Sequence, residues 1–231
     1  MTEWFTSQFW VAVTEIILVN ILLSGDNAVV IALACRNLSQ PARRQGIFWG
    51  VLGAIVLRIV LTLFAMSLLV YPYLKLAGGA LLVWIGIKLI AEEDAGNRDV
   101  KASDRLVTAV WTIVVADLVM SLDNVMAVAA AAKGHVALMA FGLIVSIPIV
   151  IIGAQVIMRL MGRYPVLVVL GGGLLGYIAG EMAVEDPVVR PWFSANAADL
   201  AVIIPLAGFA AVAAAGTWLK RRHVRASRGS P

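Results

Sequence analysis

Cysteine is nearly absent from this sequence, histidine is scarce and charge is thin: one Cys, two His and 14% charged residues among 231. The lone Cys35 excludes an intramolecular disulfide and any thiolate cluster for a soft metal, and it reads as apolar filler near the end of the first hydrophobic segment. His135 falls in a loop and His223 in a basic tail, so neither is expected to serve as a metal ligand. No Walker, Rossmann or hydrolase signature occurs, and no nucleophile–base set is visible. These gaps argue against ATP-driven pumping by this chain, against an enzyme and against a resident cofactor. Met1 to Trp4 lacks the basic stretch of a secretory signal, so the first apolar segment is expected to be retained.

What remains is apolar. Hydrophobic residues make up 61% of the chain, whereas a soluble domain has under about half apolar and roughly a quarter charged residues. They gather into runs long enough to cross a hydrocarbon core of about 30 Å as helix. The expected fold is all-α: a polytopic membrane protein with seven transmembrane helices and the lipid bilayer as its surroundings. The spans read as approximately 8–35, 46–70, 72–91, 106–132, 136–158, 164–183 and 198–219. Pro72 and Pro165 stand at helix starts, where a missing N–H costs little. A charged connector, 92–105, divides the chain, and 184–197 reads as a second polar connector on the opposite side.

The formal charge of +4 does not call for nucleic acid, because five of the 18 basic residues crowd the tail 220–231 beside the last span. Such clusters fix topology and suit anionic headgroups. Arg36, Arg43, Arg44, Arg98, Lys101, Arg105, Arg159 and Arg163 fall on the same side as that tail, against only Lys75, Lys133 and Arg190 opposite. The positive-inside rule therefore places the N-terminus out and the C-terminus in. Trp4, Trp10, Trp49 and Trp111 lie near span ends, as interfacial anchors do.

The chain also repeats itself. LSGDNAVVIALA (Leu23 to Ala34) matches MSLDNVMAVAAA (Met120 to Ala131) at an offset of 97, with Asn20 answering Asp117. A second match pairs Tyr71, Pro72, Gly78 and Gly79 with Tyr164, Pro165, Gly171 and Gly172 at an offset of 93. Repeat 1 spans about 8–91 and repeat 2 about 106–183, followed by an unpaired helix, about 198–219, that Pro205 is expected to kink. Three spans is an odd number, so the repeats must insert in opposite directions, which puts a binding site near the midplane where they meet.

Glu15, Asp26, Arg58, Asp117 and Asp123 lie well inside spans. A charge at the centre of a bilayer helix costs about 2.5–3.5 kcal/mol, so these residues need either partners or a purpose. Polar glue between helices is the plain reading. Helical spacing suggests more: Asn20, Ser24 and Asn27 share one face, Asp117, Ser121 and Asn124 share another, and Asp26 and Asp123 sit one position aside. Together they offer carboxylate, amide and hydroxyl oxygens, a set suited to a hard divalent cation such as Mn²⁺, Mg²⁺ or Ca²⁺. Arg58 has no basic counterpart in the second repeat, where Val150 or Ile151 aligns and Pro148 is expected to bend the helix. It is expected to pair with a site carboxylate when no metal is bound. Glu15 is a further gating or counter-ion candidate. Lys88 and Glu181 correspond across the repeat at span ends, and Gly172, Gly176 and Gly180 read as close helix packing.

LSGDNAVVIALA, ADLVMSLDNVMAVAAAA and AGEMAVEDP resemble motifs of the TerC family of bacterial membrane proteins, in particular its short YjbE-type members. The resemblance runs from about residue 10 to residue 215 and includes LRI at Leu57 to Ile59 and SIPIVI at Ser146 to Ile151. It implies a cytoplasmic (inner) membrane protein, linked by family name to tellurite resistance and by activity to manganese export. By the same resemblance Asp26, Asn27, Asp123 and Asn124 fall on metal-site motifs, and Asp117 and Arg58 on further polar positions. The chain lacks the extra spans of the name-giving members, so their accessory properties do not carry over. An exporter of small polar solutes and a membrane scaffold in stress resistance are the competing readings. The sequence leaves the metal, the coupling ion and whether the protein forms a homo-oligomer open.

Overall fold

The computed structural model of the protein describes residues 14, 25–68, 71–92, 102–131, 136–197 and 199–228; within these, the side chains of 62–68, 102, 123–131, 136–144, 146, 196 and 223–228 are not described. Eight helices run through the described residues: α1 (Gly25–Cys35), α2 (Gln40–Leu68), α3 (Leu74–Ala91), α4 (Ala102–Ala131), α5 (Val136–Arg163), α6 (Val166–Glu185), α7 (Arg190–Asn196) and α8 (Leu200–Arg228). No strand occurs among them.

Five of these contain stretches long and apolar enough to cross a membrane: Gln40–Leu61, Leu74–Ala91, Ser103–Leu122, Val166–Glu185 and Leu200–Arg222. In hydrocarbon every backbone polar group must be satisfied within the protein, and a helix does this without help from neighbours. The outward faces are apolar: Trp49, Val56, Trp84, Trp111, Ile152 and Val202 are all exposed. In water such a surface would aggregate; against lipid tails it is matched.

The helices extend further than hydropathy suggests. α2 begins at Gln40 and not near 46, and α8 continues to Arg228, so most of the expected basic tail is helix. The 184–197 connector contains the short helix α7. Hydropathy marks where a chain meets lipid, whereas a helix persists as long as its own hydrogen bonds and propensities allow. Pro148 and Pro205 both lie inside continuous helices.

Two groups of helices form. In one, α3, α6 and α8 pack side by side. Glycines bring them together: a methyl group on Gly79 would lie 2.9 Å from the Ala179 carbonyl oxygen, and one on Gly86 would lie 2.9 Å from that of Gly172. Gly176 and Gly208 meet backbone to backbone, and a Cβ on Gly180 would sit 2.5 Å from the Pro205 Cα. Without an apolar driving force between helices in lipid, such close approach is what holds them. In the other group, α2 lies along α4 and α1 along α5, with α1 also touching α4 and α6. Cys35 is fully buried at the end of α1.

Both ends of α3 are fastened by distant residues. The buried Asp186 carboxylate accepts from the Tyr73 N–H (3.3 Å) and the Leu76 N–H (3.3 Å) at its start, and from the Val188 N–H (3.0 Å). An anion there suits the positive end of the helix. Tyr73 itself sits at φ 63, the left-handed region, where a side chain is strained. At the far end Arg36 donates to the carbonyls of Leu89 (2.8 Å) and Glu92 (2.9 Å), and the Asn37 amide donates to Glu92 (2.8 Å). Arg43 reaches back to the carbonyls of Arg36 (2.8 Å) and Leu38 (3.2 Å). Arg36 and Arg43, counted above as topology signals, therefore also satisfy carbonyls at helix ends.

Candidate functional site

The polar residues of α1, α2 and α4 meet inside the protein. On α4, Asp117 and Ser121 are one turn apart on the same face, and the Ser121 hydroxyl donates to Asp117 Oδ2 (3.2 Å). From α2, Arg58 reaches both: its Nη2 donates to Asp117 Oδ1 (2.5 Å) and its Nε to Ser121 Oγ (2.9 Å). The three groups close a ring in which each Asp117 oxygen has a donor. All are buried, with Arg58 5%, Asp117 7% and Ser121 0% exposed.

Asn27 on α1 is buried beside them, and with Arg58 and Asp117 it lines a cavity of about 40 Å³. The remaining wall is aliphatic, from Val30, Ile31, Val51, Ala54, Ile55, Ile113, Ile147 and Val150. That is room for a few waters or a partly hydrated ion. Asp26 lies to the side, half-buried, with Oδ1 accepting from the Asn27 N–H (2.8 Å) and within electrostatic reach of Arg58 and Asp117.

Of the residues singled out in the sequence, Asp26, Asn27, Arg58, Asp117 and Ser121 thus come together. Glu15, Asn20 and Ser24 lie outside the described residues; Asp123 and Asn124 lie on α4, but their side chains are outside them too. The Asp117 carboxylate, the Asn27 amide and the Ser121 hydroxyl converge with Arg58, and Asp26 lies to their side. Among the described residues no group of three or more His, Cys, Asp and Glu gathers. Lys88 stays at the end of α3, 3.5 Å from Glu92 and 5.3 Å from the centre of the Trp84 ring, and Glu181 is exposed, so neither joins the cluster.

The model of the integral membrane protein TerC family matches residues 5–224, nearly the whole chain. This chain belongs to the TerC family. Among similar proteins, the uncharacterized membrane protein YjbE of Bacillus subtilis is 40% identical over 199 residues, 86% of this chain and 90% of that protein. YceF of the same organism is 27% identical, with 75% of this chain and 71% of that protein aligned. The inner membrane protein YgdQ of Escherichia coli is 24% identical, with 79% and 84% aligned. No solved structure matches. This TerC chain is thus a membrane protein, and its relative YgdQ is named as one of the inner membrane.

Sequence reasoning missed one buried acid. Asp186 was visible only as part of AGEMAVEDP and was assigned to a polar connector, yet it is 0% exposed. An acid immediately before Pro187 at the end of an apolar helix was the available signal. Its partners on α3 lie 110 or more residues away and leave no local trace.

Proposed function

We propose that this TerC protein is a secondary transporter that exports Mn²⁺, or a related divalent cation, across the cytoplasmic membrane. The observation that carries the reading is the buried Asp117–Ser121–Arg58 ring, opening on a small cavity that Asn27 also lines. Its oxygens are the hard donors that such ions take. Two carboxylates with neutral oxygens suit cargo that must leave again, since affinity rises with the number of charged ligands. Asp123 and Asn124, on the next turn of α4, are assigned to the same site by their match to Asp26 and Asn27. The outward direction rests on the family resemblance, and the lysine and arginine distribution supports an N-out, C-in orientation.

The helix pairing supports inverted repeats. If α1, α2 and α3 correspond to α4, α5 and α6, a two-fold axis converts the α1–α5 contact into α4–α2 and maps α3–α6 onto itself, and all three contacts occur. The site then lies between the halves, as in other inverted-repeat transporters.

Transport by purified protein in liposomes tests this, with Mn²⁺, Mg²⁺, Ca²⁺ and Zn²⁺ compared. Mn²⁺ flux that falls to background in Asp26→Ala and Asp123→Ala is the expected result; unchanged flux in both variants removes the metal-site assignment. The satisfied Arg58–Asp117 pair also favours a second reading, in which the polar residues only join helices in a stress-resistance scaffold. Under that reading Asp26→Asn keeps function, because an amide still forms hydrogen bonds; under the transport reading it loses it.

A further inference from the structure

We infer that Arg58 is the protein's own substitute for the cargo, holding Asp117 whenever the transported cation has left. The inference rests on the transport reading above. Arg58 occupies the donor set in a specific way: Nη2 is on Asp117 Oδ1, Nε is on Ser121 Oγ, and Ser121 closes onto Asp117 Oδ2. A divalent ion on Asp117 would meet the guanidinium at contact distance, so the two compete for the same oxygens.

The surroundings allow an exchange. Arg58, Asn27 and Asp117 line one cavity, so the donor set that Arg58 holds borders the open space from which a cation would reach it. Val150, one of the two residues that can answer Arg58 in the second repeat, lines the same cavity and brings no charge. Among the described residues lining the cavity, Arg58 is the one cation.

The consequence concerns the unloaded protein. After cargo release a bare carboxylate in the membrane interior would oppose the return movement. With Arg58 in place Asp117 is neutralised, and the empty carrier returns without a second ion at that carboxylate. Removing the positive charge should then slow the return of the empty carrier, while a carrier loaded in both directions continues to work.

The experiment measures two fluxes of radioactive Mn²⁺ from proteoliposomes: net efflux into Mn²⁺-free buffer, and exchange against external Mn²⁺. Arg58→Gln is expected to lower net efflux at least about tenfold more than it lowers exchange, given the cost of a bare intramembrane carboxylate. Arg58→Lys, which keeps a cation, is expected to retain both fluxes, and size-exclusion profiles report whether each variant is folded. Equal loss of both fluxes in Arg58→Gln, whether or not Arg58→Lys keeps them, overturns the inference, as does an Arg58→Gln protein with normal net efflux. A wild-type protein with neither flux sinks the transport reading itself.

Discussion

Removing the Asp117 carboxylate should unsettle the fold, and removing both members of its pair should not. In Asp117→Ala the Arg58 guanidinium loses the carboxylate acceptor at 2.5 Å and stays buried, at 5% exposure, with the Ser121 hydroxyl still at 2.9 Å. Breaking a buried pair from one side costs about 3–5 kcal/mol, because an uncompensated charge is left inside. Replacing both members with apolar residues of similar volume is often neutral or stabilising by about 1–4 kcal/mol. The double variant Arg58→Met/Asp117→Leu should therefore regain the stability that Asp117→Ala loses, and it should still transport no Mn²⁺. The assay is thermal unfolding of detergent-solubilised protein followed by size-exclusion, run on wild type, both single variants and the double. The expected order places Asp117→Ala and Arg58→Met well below wild type and the double near it. An Asp117→Ala protein that melts with wild type would refute the reasoning, since Arg58 would then have found solvent or another acceptor at no cost.

Two further outcomes test the frame around the site. Asp186→Ala should leave the Tyr73, Leu76 and Val188 amides without their acceptor, lowering stability by about 2–4 kcal/mol and speeding amide exchange in the first turn of α3; Lys75→Ala, which removes the bridge to the exposed Glu185 at 3.1 Å, should cost under about 1 kcal/mol. If the Lys75 change proves as damaging as the Asp186 change in the same thermal scan, the cap is not what holds α3. Gly176→Ala drives a methyl group into the Gly208 backbone and should destabilise by about 1–3 kcal/mol, whereas Gly162→Ala, which meets nothing within 4 Å, should be neutral or gain up to about 1 kcal/mol; matching melting points for the two would contradict close packing of α6 on α8.

Some of this was legible from residue order alone. Asp117 and Ser121 are four apart, so any helix puts them on one face, and the Ser121–Asp117 hydrogen bond follows from the helical period. The spacing of Gly172, Gly176 and Gly180 in the same way announces a smooth helix side. It does not name the partners, which prove to be α3 for the first and α8 for the other two. Arg58 could be expected to find an acid, but among the candidate acids only packing selects Asp117, 59 positions away. Arg36 shows the opposite case: in the sequence its charge counts only toward the expected orientation, yet its hydrogen bonds cap α3 across a separation of 53 and 56 residues.

By itself, then, the sequence determined the solvent and the local geometry. Apolar runs of this length exclude water, lipid forces the backbone into helices, and the helical period decides which polar groups share a face. The tertiary structure alone decided which faces meet. Asp186 on the N-terminus of α3, Arg36 on its C-terminus and Arg58 on Asp117 are all pairings between distant segments. Their physical reason is common: a buried charge or an open helix end must find its complement inside the protein, and that complement comes from whichever helix packing brings within reach.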